Sequence, residues 1–480
     1  MLFNSVEFLV FLPLVFLAYW AIHPLTRTAA GLKTQNALLL VASYVFYGWW
    51  DWRFLSLIAL STGVDWWVGR RIHACRNASA QWLALSLVIN LGLLGYFKYA
   101  NFFIASWVDA WGRLGVNVET STLNLILPVG ISFYTFQTLS YTLDIYRGKM
   151  KPTDSLLDFA AFVSFFPQLV AGPIERASAL LPQIQRPRTF DLRLAQSGLR
   201  LLLWGMFKKV VVADTCAPLV DNIFAHHEEY SGLTLIFGAV LFAFQIYGDF
   251  SGYSDMAIGT GRLFGIRLNT NFATPYFSRN IAEFWRRWHI SLSTWFKDYV
   301  YIPLGGSRHG MAQTVRNTFV IFLVSGFWHG ANWTFVAWGG LHALLFLPLL
   351  WKGQNRKHTA SPVQANGIPS WRDLMGMATT FSMVVVAWVF FRAESLDQAI
   401  SYLARWGQGG LRLNTFNAVV CLWIAVMMAW EWLIHIPAFR TWFSSPRRGM
   451  VMLRWSAYSC GAWFVVKHFH NQADFIYFQF

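Results

Sequence analysis

The chain alternates apolar windows with short polar breaks, and the windows approach membrane-crossing length. They fall near 5–24, 36–50, 54–68, 80–99, 122–145, 200–219, 232–257, 317–330, 331–351, 373–391, 416–436 and 455–469. A helix needs roughly 20 residues to cross the ~30 Å hydrocarbon core, and several windows are shorter or broken by Gly, Pro and polar residues. The pattern therefore predicts an all-α polytopic membrane protein with about 11–13 transmembrane and re-entrant helices. Two stretches between windows, 147–200 and 258–316, are too aromatic for solvated loops, with Phe162, Phe165 and Phe166 in one and Phe272, Trp285 and Trp288 in the other. They are expected to fold back as re-entrant or interfacial helices, which needs protein or cavity water to satisfy their backbone. No internal repeat stands out and Lys352–Ser370 is the only linker-like stretch, so a single membrane domain spanning 1–480 is expected.

Composition agrees: 56% of the residues are hydrophobic and only 13% charged, against roughly 25% charged in soluble domains. No Lys or Arg precedes the first window, which argues for a retained span entering from outside rather than a cleaved signal peptide. A net charge of +15 would suggest a nucleic-acid partner in a soluble protein. Alternating the spans from an outer N-terminus, however, puts 29 of the 38 Lys and Arg in cytoplasmic loops. The positive-inside rule accounts for the basicity without any polyanion, and it leaves both the N-terminus and the tail 470–480 on the outer face. The four cysteines, Cys75, Cys216, Cys421 and Cys460, lack ligand or disulfide spacing, so neither a metal nor a disulfide framework is expected.

Against this apolar background the candidate chemistry is conspicuous. Gly326-Phe327-Trp328-His329-Gly330-Ala331-Asn332-Trp333 sets a histidine inside a lipid-compatible run, where an ionisable side chain costs roughly 2.5 kcal/mol or more and is read first as functional. An imidazole that titrates near ~6.5 can take a proton from a hydroxyl at neutral pH. The small Gly330 and Ala331 admit a substrate or a second backbone, and Asn332 adds a polar group. A packing histidine bonded across the bundle is the alternative. Upstream, helical spacing over Ile281–Phe296 predicts one continuous helix with Trp285, Trp288, His289, Leu292 and Trp295 or Phe296 on a single face, with Glu283 pairing to Arg287. That block equally fits an interfacial helix with snorkelling arginines.

Further on, Pro303 and Gly305-Gly306 end the helix, and their amides together with Lys297 and Arg308 offer either a phosphate site or a plain turn. Two polar interruptions of apolar windows, Tyr247-Gly248-Asp249-Phe250-Ser251-Gly252-Tyr253-Ser254-Asp255 and Pro128 to Gln137, are the kind that face a cavity. They leave a secondary transporter open, with Asp249, Asp255 and the histidines as proton relays.

Taken together, Met1-Leu2-Phe3-Asn4-Ser5, Leu127 to Gln137, Phe165 to Ile174, Asp249 to Asp255, Phe284 to Gly306 and Gly326 to Gly330 resemble the membrane-bound O-acyltransferase family. The likeness is to its bacterial branch that O-acetylates exopolysaccharides, such as alginate and cellulose, and peptidoglycan. The resemblance implies a ring of helices around a central tunnel in the bacterial inner membrane. It implies His329 and His289 as the catalytic pair, with Trp328, Asn332, Asp249 and Gln137 as supporting or tunnel residues. It implies acetyl-CoA as the cytoplasmic donor, held near Arg286, Lys297 and Arg308, and a periplasmic SGNH-type acetyltransferase as the partner that modifies the polymer. The terminal Phe475-Ile476-Tyr477-Phe478-Gln479-Phe480 looks like the aromatic end motif of these systems, which makes Tyr477 a candidate acyl relay. A nearer alternative within the family is D-alanyl transfer to teichoic acid, where the aromatic motif sits on a separate small peptide.

Overall fold

The computed structural model describes residues 1–118, 120, 123, 125–359, 363, 367–410, 412–470, 473, 475 and 476. The described residues are helical, with no strand among them, and fall into two compact units, Met1–Leu199 with Ala257–Asn269 and Arg200–Met256 with Thr270–Phe480. Among the described residues four helical runs can each cross a membrane by length and composition: Arg76–Arg113, Gly232–Leu263, Trp333–Trp351 and Trp371–Arg392. A fifth candidate span is the pair Ala418–Leu433 and Pro437–Phe443, bent by 99°. The remaining windows form helices that are shorter or more polar than that standard.

In the first unit, α1 (Val6–Ala21), α2 (Ala29–Asp51), α3 (Leu55–Ala74), α4 (Ser79–Leu94) and α5 (Ala100–Arg113) precede α6 (Ile131–Tyr146). Side-chain caps start two of them: Ser5 Oγ accepts from the Phe8 amide and Thr28 Oγ1 from the Gly31 amide, each satisfying a donor that a helix start leaves open. α6 is buried on nearly every face although it carries Ser132, Thr135, Gln137, Thr138, Ser140 and Thr142. Such a helix must bond its polar groups inside protein. Accordingly Asp65 of α3 accepts from Ser86 Oγ at 2.6 Å and Asn90 Nδ2 at 2.8 Å, and Ser86 in turn meets Thr142 of α6 at 3.2 Å. The aromatic stretch beyond α6 folds into three short helices, α7 (Leu156–Ser164), α8 (Phe166–Leu169) and α9 (Ala177–Ile184), and is buried without interruption from Phe159 to Glu175.

The second unit draws on α10 (Leu192–Met206), a π-helical turn at Phe207–Ala213, α11 (Asp214–Ala225) and α12 (Gly232–Leu263). It continues through α13 (Ile281–Arg287), α14 (Ile290–Phe296), α15 (Met311–His329), α16 (Trp333–Trp351), α17 (Trp371–Arg392), α18 (Leu396–Ala404), α19 (Ala418–Leu433), α20 (Pro437–Phe443) and α21 (Arg448–His468). α15 and α16 form a tight hairpin. A Cβ on Gly326 would lie 2.2 Å from the Phe335 carbonyl oxygen, and one on Gly339 would lie 2.3 Å from that of Phe322, so only glycine lets the two backbones approach this closely.

The expectation of one continuous helix over Ile281–Phe296 is not met. The helix stops at Arg287, His289 adopts a left-handed conformation (φ 43°, ψ 56°), and a new helix starts at Ile290. The cause is local competition: the Ile290 amide donates to the Asn271 carbonyl at 2.8 Å rather than continuing the helical ladder. Before the break the predicted Glu283–Arg287 pair forms at 3.0 Å, and Arg279 joins it at 3.0 Å. Burial by itself would raise the Glu283 carboxyl, but hydrogen bonds and charge from Arg279 and Arg287 outweigh it and hold the group below its ordinary value. A carboxyl depressed in the folded state adds stability that is complete above its unfolded value and disappears as pH falls through the folded one. The thermal midpoint of the detergent-solubilised protein should therefore fall as pH drops below about 4.5. Glu283→Gln should start lower at neutral pH and vary less across that range; parallel curves for the two proteins would contradict this account.

Candidate active site

His329 is the last residue of α15, and the chain turns at once through an extended Gly330 into α16. A Cβ at Gly330 would lie 2.1 Å from the Phe335 ring, so a larger residue there would force that ring to move. Asn332 starts α16: its Oδ1 accepts from the Thr334 amide at 3.1 Å, and its Nδ2 donates to the Glu394 carbonyl at 2.9 Å. Its side chain therefore fixes the hairpin that presents His329. The His329 imidazole is 3% exposed and sits among the rings of Trp328, Trp338 and Phe391, with centroids at 5.0, 5.1 and 5.5 Å.

His289, fully buried, faces His329 with ring centroids 6.3 Å apart. That is wider than a direct hydrogen bond between the two rings allows. Asn271 sets the orientation of His289. The backbone amide of Ser291 can only donate, and it points at Asn271 Oδ1 at 3.3 Å, as does Ser291 Oγ at 2.9 Å. The Asn271 amide nitrogen faces the other way, donating to Ser254 Oγ at 3.1 Å. With oxygen so placed, His289 Nδ1, 3.1 Å away, must carry the proton, which makes Nε2 the acceptor nitrogen of the ring. The left-handed backbone at His289 is strain of the kind that surrounding structure holds in place at functional sites.

Beside the pair lies a cavity of about 260 Å³ whose lining includes Trp285, Arg286, Phe296, Lys297 and Ser325. Ser325 is one turn before His329 on α15, about 6 Å along the helix axis. Trp285 links the cavity to the site through Trp338, which lies 5.7 Å from Trp285 and 5.1 Å from His329 between ring centroids. His342 Nδ1 accepts the Trp285 indole N–H at 3.3 Å, consistent with a structural histidine. Arg286 also donates to the Asn355 and Lys357 carbonyls at 2.8 and 2.7 Å. Arg308 is exposed beyond the turn and does not line this cavity. The amides of Gly305 and Gly306 are consumed within the turn, donating to Ile302 and Tyr301. Gln137 belongs to the first unit, where its Nε2 donates to the Phe162 carbonyl at 2.9 Å.

Asp249 is 2% exposed and ion-paired to Lys209 at 2.7 Å, and Lys209 also reaches Asp214 at 2.7 Å. Lys208 pairs with Asp255 at 2.6 Å and donates to Ser251 at 2.9 Å. The terminal segment enters this cluster: Phe475 and Ile476 are buried, and Phe475 lies 4.2 Å from Tyr253 and 6.2 Å from Phe250 between ring centroids. Phe250 in turn packs edge-on to His289 at 4.7 Å. Tyr477 lies outside the described residues. Asn271 and the two lysines were not picked out from the sequence. The lysines carried a signal, being adjacent cations inside the apolar window 200–219; Asn271 carried none. Among the described residues no group of three or more His, Cys, Asp or Glu is arranged to hold a metal.

Two buried imidazoles that face each other, one ending α15 and one starting α14, next to a cavity lined by Arg286 and Lys297, are suited to acyl transfer. Comparison with known proteins agrees. Residues 153–388 match the MBOAT, membrane-bound O-acyltransferase family. The chain is 42% identical over 456 residues to a probable alginate O-acetylase, AlgI, of Azotobacter vinelandii, covering 94% of this chain and 87% of that protein. It is 38% identical over 434 residues to a peptidoglycan O-acetyltransferase of Helicobacter pylori, covering 84% and 79%. A teichoic acid D-alanyltransferase of Streptococcus thermophilus is more distant, 28% identical over 314 residues, covering 60% and 75%. The chain belongs to the membrane-bound O-acyltransferase family, in the branch of the alginate and peptidoglycan O-acetyltransferases. It is a multi-pass membrane O-acyltransferase.

If Asn271 sets the tautomer of His289, Asn271→Leu should lower the acyl-transfer rate by about 10²-fold, the scale of a catalytic group misplaced by an ångström. Asn271→Asp, which keeps the acceptor oxygen, should recover most of it. Rates measured in membranes with protein level matched by immunoblot decide the point; equal losses in the two variants would reduce Asn271 to packing.

Proposed function

We propose that the protein moves an acetyl group from cytoplasmic acetyl-CoA across the bacterial inner membrane to a periplasmic SGNH-type acetyltransferase, which then O-acetylates an exopolysaccharide or peptidoglycan. The observation that carries this reading is the facing pair His329 and His289, 6.3 Å between ring centroids, one helical turn from a cavity that holds Arg286 and Lys297. The cations suit the phosphates of the donor, and the aromatic lining suits its thioester arm. A small neutral acetyl group can pass through a narrow apolar tunnel, whereas the charged coenzyme stays on the cytoplasmic side.

The carrier in this reading is Tyr477, entering from the outer face with the C-terminal segment, and the buried Phe475 and Ile476 beside the His289 cage support it. His329 takes the phenolic proton, the phenolate oxygen bonds to the thioester carbonyl carbon, and the carbon–sulfur bond breaks. The proton passes from His329 to the departing thiolate, leaving coenzyme A and O-acetyl-tyrosine. A phenol titrates near ~10, so the aryl ester is activated for onward transfer to the partner. D-alanyl transfer is the less supported reading, since the D-alanyltransferase relative matches less of this chain at lower identity. The transporter reading loses ground because Asp249 and Asp255, its proposed relays, are each held by a buried lysine.

The test is coenzyme A release from acetyl-CoA by purified protein, with and without membranes that supply the partner. His329→Ala should lower release by about 10²–10⁴-fold, the usual contribution of a positioned base, and equal turnover of wild type and variant would remove His329 from this role. Tyr477→Phe should abolish polymer acetylation in cells. Full acetylation in that variant would end the tyrosine relay while leaving the acyltransferase in place.

A further inference from the structure

The buried charges around Lys209 are completed by backbone groups from the end of the chain. Lys209 Nζ bonds to Asp214 Oδ1 and Asp249 Oδ1, both at 2.7 Å, and to the Ala473 carbonyl oxygen at 3.0 Å. The second oxygen of Asp249 accepts the Ile476 amide at 2.7 Å. Lys209, Asp214 and Asp249 are each no more than 2% exposed. Charges withdrawn from water this completely are tolerated only when paired and hydrogen-bonded. Without residues 473–476, Lys209 would lose an acceptor and Asp249 a donor, so the cluster is incomplete on its own.

We propose that Lys209 and Asp249 form a docking clamp for the C-terminal segment that sets its register against the histidine pair, an inference that rests on the reading of Tyr477 as acyl carrier. The clamp holds main chain at two points three residues apart, a carbonyl at 473 and an amide at 476. Between them the Phe475 ring packs against Tyr253 at 4.2 Å. Main-chain bonds are indifferent to side-chain identity, so the aromatic pocket supplies the selectivity and the two bonds supply the position. The three contacts together exclude a slip of one residue, which would put Asp474 or Ile476 in the place of the Phe475 ring. A slip of one residue would move the ring out of its pocket, and would also bring a different side chain to the transfer site.

The experiment is hydrogen–deuterium exchange of residues 473–476 in the detergent-solubilised full chain, read alongside polymer acetylation in cells. Ile476→Pro removes the amide that binds Asp249 while leaving the Lys209, Asp214 and Asp249 side chains unsubstituted, which keeps the test valid if Lys209→Met fails to fold; Ile476→Val keeps the amide and serves as control. Exchange of the remaining amides should quicken about 10-fold or more in Ile476→Pro and in Lys209→Met, as expected for loss of a bond to a charged group, with no change in Ile476→Val. Acetylation should fall with it. Unchanged exchange in both Ile476→Pro and Lys209→Met would overturn the clamp, whatever the activity. Quickened exchange with full acetylation in both Ile476→Pro and Tyr477→Phe would support docking of the segment and overturn the register role together with the tyrosine relay.

Discussion

Polar groups placed at bilayer depth have no water to fall back on, so each must find its hydrogen bonds within the protein. In the second unit that constraint converges on Asn271, whose oxygen meets His289 and Ser291 and whose amide nitrogen meets Ser254. Its backbone carbonyl takes the first amide of α14 and thereby ends α13. One residue thus decides where a helix breaks, which backbone region a histidine occupies and which of its nitrogens carries the proton. Removing the oxygen would leave several donors stranded together, which is why such hubs resist substitution more than any single bond would suggest.

Around this hub the rings provide rigidity. Trp338 touches His329, His342, Trp285 and Trp388, so the wall between the cavity and the imidazoles is built of flat side chains with few rotatable bonds. Rigid, apolar walls hold the two imidazoles in a fixed relation, and under the proposed function they would keep water from an activated acyl group. The glycines at 326 and 339 serve the same end from the backbone side, bringing α15 and α16 close enough for Trp338 to reach His329.

Much of this was legible in the sequence because hydrophobic patterning and the expense of polar groups in lipid both act locally. The windows at 317–330 and 331–351 became α15 and α16, with the break falling at Gly330 to Asn332. His329 stood out as an ionisable residue in a run that is otherwise apolar but for Ser325 and Asn332. The Glu283–Arg287 pair follows from helical spacing alone. The break at His289 was invisible because 3.6-residue periodicity describes side chains, whereas the cause is the main chain of Asn271, eighteen positions earlier, competing for the helical amide. The two lysines are hidden for the opposite reason: in a chain of net charge +15 two cations do not stand out, although both sit inside an apolar window. The cavity depends on how α13, α15 and α16 meet, which no local pattern encodes.

The π-helical turn at Phe207–Ala213 shows how adjacent residues can serve separate clusters. Lys208 turns to Asp255 and Ser251, while Lys209 turns to Asp214, Asp249 and the end of the chain. A π-turn behaves as one residue added to an α-helix and absorbed within a single wider turn, so excising that residue would restore the α-helix and leave α11 facing as it does, while Lys208 and Lys209 would lose the directions that the wider turn gives them. The turn therefore ties the direction of each lysine to the number of residues within it. In this stretch, count of residues matters more than their kind.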